Sequence, residues 1–201
     1  MIANAIRHPK KEFLKTKKMA TGYYPNTCAG VVPPHTCDPC LPREFGRIRA
    51  VAFIKSEYTF LNPESQLEWE TAIQNRDAIL IPEVHGQFPE PSEQMGTGYG
   101  DTVETLLGYE FTLTYYDRNY ASNCDFYNAL QGQQSYKLMY KSESFGHLTD
   151  ATVTVIPKAP IEDDLNAEVV WMVQVKWKDN SHACPFAFPA GVLKCYELGE
   201  L

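Results

Sequence analysis

The sequence predicts a mainly β fold: an antiparallel β-sandwich or barrel with two short flanking helices and extended arms. Two runs carry that prediction. From Val103 to Tyr115 every second residue (Val103, Thr105, Leu107, Tyr109, Phe111, Leu113, Tyr115) is mostly large and apolar, and the positions between are mainly Glu, Thr and Gly. From Val169 to Trp177 the same period sets Val169, Trp171, Val173, Val175 and Trp177 against Val170, Met172, Gln174 and Lys176. A period of two belongs to a strand with one buried face and one face turned to water or a partner. Little catalytic vocabulary surrounds these runs, so the chain reads as scaffold and not as an enzyme.

The elements follow in order. Residues 20–45 hold Pro25, Pro33, Pro34, Pro39 and Pro42 with three cysteines; proline removes donors and fixes φ, so an extended, irregular arm is expected. Ile48 to Phe60 reads as a strand, with Ile48, Ala50, Ala52 and Ile54 on one side and Val51 and Phe53 on the other. Asn62 suits a helix cap and Pro63 the first helical position, and Leu67, Trp69, Ala72 and Ile73 continue at helical spacing to Arg76. Ala78 to Ile81 is a short apolar strand. Pro82 to Asp101, with three prolines and then Gly96, Gly98 and Gly100, reads as a long loop reaching outward. After the Val103 strand, Asp117 or Asn119 is placed to cap a second helix through Tyr120, Cys124, Tyr127 and Leu130, closed by Gly132. Tyr136, Leu138 and Tyr140 mark a strand, and Val153 and Val155 another. An acidic turn follows at Pro157 to Asn166, then the Val169 strand and a tail with two cysteines. About five or six strands in all are expected from this pattern. The expected organisation is a disordered basic extension at 1–18, a Pro/Cys-rich arm at 19–45, a β-sandwich or barrel core at 46–180 with its long loop at 82–101, and a tail at 181–201.

Charge is unevenly spread. Arg7, Lys10, Lys11, Lys15, Lys17 and Lys18 against Glu12 give residues 1–18 a net +5, which leaves −12 for the remainder of a chain whose total is −7. An acidic body argues against gripping nucleic acid by its phosphates, but it suits a surface past which nucleic acid slides without sticking. The N-terminal stretch has no apolar run of signal-peptide length, and no segment approaches a membrane span. A cytoplasm is therefore where the chain is expected to be made and kept, and Met19 would serve as an alternative start.

Six cysteines stand at 28, 37, 40, 124, 184 and 195. Cys37 and Cys40 form a CxxC, and with Cys184 and Cys195 they make a candidate four-thiolate zinc site if the two ends of the chain meet. His35 and His182 are substitute ligands. Ten residues lie between Cys184 and Cys195, so the match is partial. Disulfides formed late in an exposed particle, and free buried thiols, stay open as alternatives. Beyond this structural zinc no cofactor is expected. His8, His85 and His147 stand apart and read as surface or loop histidines. Gly96-Thr-Gly98-Tyr-Gly100 lacks the lysine and the following helix of a phosphate loop and reads as a hinge or turn. Glu162, Asp163 and Asp164 lack the ligand pattern of a calcium loop. The tyrosines at 115, 116, 120, 127, 136 and 140 have few basic neighbours, so core and subunit contacts are favoured over stacking on nucleic acid.

The layout of these features resembles a virion structural protein of tailed bacteriophages, most of all a tail tube protein. The resemblance covers residues 45–180: a strand, the helix from Leu67 to Arg76, the arm ending in Gly98-Tyr-Gly100-Asp101, and then Leu107-Gly-Tyr-Glu-Phe-Thr-Leu-Thr-Tyr-Tyr-Asp117. The helix from Asn119 to Leu130 and the strand Val173-Gln-Val-Lys-Trp-Lys-Asp-Asn180 complete it. It implies a small sandwich or barrel with a flanking helix, assembled with copies of itself in stacked, commonly hexameric rings around a channel. DNA would pass without specific binding, other virion proteins would be partners, and the location would be the virion, with no membrane involved. The cysteine-bearing ends depart from that pattern. They keep open a capsid decoration or head-tail joining protein, or a soluble binding module tied by zinc or disulfides. On this reading, removal of Pro82 to Gly100 leaves a folded monomer that no longer polymerises.

Overall fold

Alternating apolar segments fold here as two open antiparallel sheets packed face to face, one of which is also covered on its outer side. The computed structural model describes residues 44, 46–97, 104–161, 163 and 168–193, all within the unit Pro42–Leu201. The elements are β1 (Ala50–Lys55), α1 (Gln66–Gln74), β2 (Ala78–Ile81), β3 (His85–Gln87), β4 (Ser92–Thr97), β5 (Glu104–Asp117), α2 (Cys124–Leu130), β6 (Tyr136–Lys141), β7 (Phe145–Leu148), β8 (Thr154–Lys158), β9 (Trp171–Asp179) and β10 (Pro185–Ala187). One sheet runs β10-β7-β6-β1-β2. The other runs β3-β5-β9-β8, with β4 also pairing β5. Every pairing is antiparallel. The architecture is therefore the expected mainly β one, as a sandwich of open sheets.

The alternation in β5 and β9 sorts as its period demands. Phe111, Leu113 and Tyr115 of β5 and Trp171, Val173, Val175 and Trp177 of β9 point inward and are buried. They meet Val51, Phe53, Leu138, Tyr140, Val153 and Val155 in the inter-sheet core. Phe88 lies parallel to both Phe111 and Trp177, with centroids 6.0 and 5.6 Å away.

β1 is buried on both faces because it is central in its sheet and that sheet has a second cover. Ala52 and Ile54 point away from the inter-sheet core into another cluster with Phe60, Trp69, Ala72, Ala78, Met139, Phe188 and Val192. Helix α1 and a 3-10 turn at Ala190–Val192 roof this cluster. The small residues Ala52, Ala72 and Ala78 border the Trp69 indole, which is wholly buried and stacks near Phe60 and Phe188.

Several local expectations change. The first strand ends at Lys55, and Tyr58 and Phe60 leave the sheet to cap the α1 layer. Asn62 does not cap the helix: its Oδ1 accepts the Glu64 N–H, and Ser65 is the N-cap. The Glu68 carboxylate instead reaches back to the N–H groups of Leu61 and Asn62, neutralising donors ahead of the helix. The second helix begins at Cys124, with Asn123 as N-cap. β7 and β10, too short to announce themselves by period, extend the sheet edge, so ten strands replace the expected five or six among the described residues.

Within the expected long loop at 82–101, His85–Gln87 and Ser92–Thr97 are strand, and residues 98–101 lie outside the described residues. β3 pairs with Thr114–Tyr116, β4 pairs with the first half of β5, and Val84 and Phe88 belong to the inter-sheet core. Backbone bonds in both directions between Ile48 and Gly86 (3.1 and 3.2 Å) tie the two sheets together at this corner. Any Cβ on Gly86 would stand 2.9 Å from both the Ile48 Cβ and the Thr114 carbonyl oxygen, so the close approach requires glycine there.

Candidate functional site

Chemistry expected from the sequence is scattered by the fold. Cys184 is exposed after β9; Cys37, Cys40 and Cys195, its companions in the candidate zinc site, lie outside the described residues, as do Cys28 and His35. Cys124 is exposed on α2 and so is not one of the buried thiols kept open as an alternative. His182 packs on the rings of Tyr109 and Phe111. His147 stacks on Tyr140 with centroids 4.8 Å apart, and its Nδ1 lies 3.2 Å from the Ala183 carbonyl oxygen. His85 is exposed on β3, opposite Tyr116. Among the described residues no three His, Cys, Asp or Glu side chains are grouped to hold a metal. Glu162 and Asp164 of the acidic turn, and Gly98 and Gly100, are also outside the described residues. No described helix is long and apolar enough to cross a membrane.

A buried polar cluster sits where β5 hands over to α2. Asp117 is 1% exposed. Its carboxyl oxygens accept the Asn119 N–H (2.9 Å), the Asn123 amide (2.7 Å) and the Tyr127 hydroxyl (2.8 Å). Trp171 donates its indole N–H to the Tyr120 carbonyl and packs on Tyr127, which pins the turn from the β9 side. Burial, with the neighbouring Tyr115 and Asp117, pushes the Tyr127 phenol far above its ordinary range. The Tyr115 hydroxyl is also wholly buried; it lies beside the Tyr127 hydroxyl without a well-formed hydrogen bond. Burial alone pushes Tyr140 up to about 12. Every donor bonded to Asp117 comes from the turn or from α2, so the cluster fixes a corner of the fold. Asp117, which the sequence marked as a candidate cap, does its bonding to the turn and to Tyr127 instead.

A second polar corner joins β6 to β7. The Lys141 ammonium donates to the carbonyls of Ser142 and Glu143, and burial draws it below the usual lysine range against the pull of Glu143 and Glu44. Glu44 accepts the Ser142 hydroxyl (2.6 Å) and the Ser144 N–H (2.7 Å). These bonds, the Ser142 hydroxyl first, lower its carboxyl from 4.5 to about 2. A carboxyl depressed in the folded state stabilises above its unfolded pKa, and that contribution fades as pH falls toward the folded value. In urea unfolding, Glu44→Ala is expected to lower the midpoint at neutral pH. The gap to the unsubstituted chain should close between pH 4.5 and about 2.

The feature that distinguishes this sandwich is the ribbon made by β4 and β5. β9 accompanies β5 only as far as Tyr109, opposite Asp179. Beyond that point β5 pairs with β4 alone, through Gln94↔Gly108, Met95↔Leu106, Gly96↔Thr105 and Thr97↔Glu104. Leu107 is the unpaired extra residue of a bulge. Gly108 beside it takes φ +154°, where an added Cβ would meet the Asn180 side chain at 2.9 Å. The two-stranded extension carries Met95, Leu106 and Leu107 at 47, 43 and 65% exposure. The strict alternation read from Val103 to Tyr115 passes over this break. The adjacent pair Leu106-Leu107 ahead of a glycine was the signal of a bulge.

The outer face of the β3-β5-β9-β8 sheet has no covering layer among the described residues. Glu110, Thr112, Thr114 and Tyr116 of β5 stand opposite Lys178, Lys176, Gln174 and Met172 of β9, and Thr154, Ile156 and Lys158 follow on β8. Near its Lys176–Lys178 end lies a groove of about 460 Å³ bordered by Thr154, Lys176, Trp177 and Lys178, with Ala151 and Glu110 also in its wall. Comparison of the chain with protein-family models, with curated proteins and with solved structures finds no match.

Proposed function

We propose that this chain is a self-assembling structural protein, a virion subunit of the tail tube type that stacks in rings with copies of itself. The observation that carries the reading is the overhanging ribbon. A two-stranded hairpin standing free in water is marginal at best, and this one also exposes three large apolar side chains. Partner contact removes both costs at once, because it buries the apolar residues and braces the ribbon. The resemblance in layout supplies the virion setting, with DNA passing through the assembly and other virion proteins at its ends. The lysines of the open sheet face make that face an unsuitable lining for a channel through which DNA must slide. The reading therefore requires the open face to be covered in the assembly.

The experiment is light scattering after size-exclusion chromatography, with negative-stain imaging of the same fractions. Removal of Pro82 to Gly100 is not the right variant, because Val84 is core, Phe88 packs against that core and β3 pairs with β5. Replacing residues 95–106 with a short glycine turn leaves that core intact. The full chain should form rings or filaments, and the shortened chain should run as a folded single copy. A full chain that stays single at high concentration would overturn the reading.

A further inference from the structure

Resting on that reading, we infer that the ribbon of one copy docks on the open face of the β3-β5-β9-β8 sheet of the next, in the groove at Lys176 and Lys178. The argument is charge and shape. Between Arg76 and Arg118 the chain has no lysine or arginine, and the ribbon strand β4 and its approach carry Glu93 and Glu90, both exposed. The donor is thus acidic at Glu90 and Glu93 and apolar at Met95, Leu106 and Leu107. The acceptor has the converse character. Lys158, Lys176 and Lys178 stand on the open face against Glu110, which lies 4.0 Å from Lys178 in a solvent-exposed pair of little strength. Lys176 and Lys178 both border the groove, with Glu110 beside them. Ala151 and the rim of the otherwise buried Trp177 give that groove a small apolar border beside the two lysines.

Donor and acceptor are different surfaces of one chain, so the contact is heterologous. Such a contact repeats head to tail and closes as a ring or continues as a filament. It also covers the basic face, as the tube reading requires.

The test uses the full chain and two variants of residues outside the core. The donor variant is Met95→Ser with Leu107→Ser; the acceptor variant is Lys176→Glu with Lys178→Glu. Circular dichroism and the thermal midpoint establish that each is folded. Each variant alone should lose assembly and run as a single copy. Mixed in equal amounts, they should form a complex of two chains and stop there, because the mixture holds one intact ribbon and one intact groove. Adding Glu93→Lys to the acceptor variant should restore part of the assembly, since the ribbon is then matched to the reversed face.

If the unsubstituted chain assembles and the acceptor variant assembles equally well, the docking site is wrong while the self-assembly reading stands. If the unsubstituted chain stays single, both fall. If the acceptor variant still assembles but no longer retains a short DNA duplex that the unsubstituted chain holds, the face serves nucleic acid and the inference is overturned.

Discussion

Trp69→Ala is expected to destabilise the chain by about 3–5 kcal/mol, the usual cost of deleting a buried indole. The indole is fully buried between the outer face of the β1 sheet and the rings of Phe60 and Phe188, whose centroids lie 4.2 and 5.2 Å away. It also donates to the Pro63 carbonyl at 2.8 Å, which anchors the turn that starts α1. Ala52 and Ala78 of the same cluster are small, so they have little side chain with which to fill the void. Helix α1 is only nine residues long and owes its stability to this contact, because isolated helices of such length are marginal in water. Urea unfolding followed by circular dichroism would measure the loss. A cost near 1 kcal/mol would mean that the α1 layer collapses onto the sheet without it.

Asp117→Ala is expected to cost about 3 kcal/mol, because it orphans buried donors as well as losing bonds. The Tyr127 hydroxyl and the Asn123 amide would lose their acceptor, and the Asn119 N–H its turn partner. The informative companion is Tyr115→Phe. That change removes a buried hydroxyl with no well-formed hydrogen bond, so it is expected to be neutral or stabilising by up to about 1 kcal/mol. Opposite signs for two neighbouring polar deletions, read from urea midpoints, would establish that the cluster is organised on Asp117. A loss at Tyr115 comparable to that at Asp117 would show that the hydroxyl is bonded in solution.

Much of the fold was legible because its strongest strands obey a simple period. From Phe111 onward β5 alternates, as does β9, and their inward residues belong to the inter-sheet core. β2 matches its expected span of Ala78 to Ile81. The strand at the start of the core was also legible as two-sided, since Ala52 and Ile54 do face away from Val51 and Phe53. What escaped were elements whose residues carry no period. β3 is three residues around a glycine, and β10 begins with proline; both are strands because a neighbour offers them an edge. The prolines and glycines of residues 82–101 suggested a loop for the same reason, although Phe88 is deep among aromatic rings. The open lysine-bearing face could not be anticipated from net charge, since a body of −12 says nothing about where its cations gather. The candidate thiolate site rests on chain ends outside the described residues, and the fold neither assembles it nor separates it.

The position of β1 has a consequence for how the chain comes to be folded. Five consecutive buried residues, Ala50 to Ile54, leave the ribosome ahead of both strands that pair with them. Their main partner β6 follows only after α1, the ribbon, all of β5 and α2 have been made. Pairings so distant along the chain slow the search for the native state, and unpaired apolar strands are sticky while they wait. During synthesis the nascent chain must therefore keep its most hydrophobic strand shielded until the segment that completes it emerges.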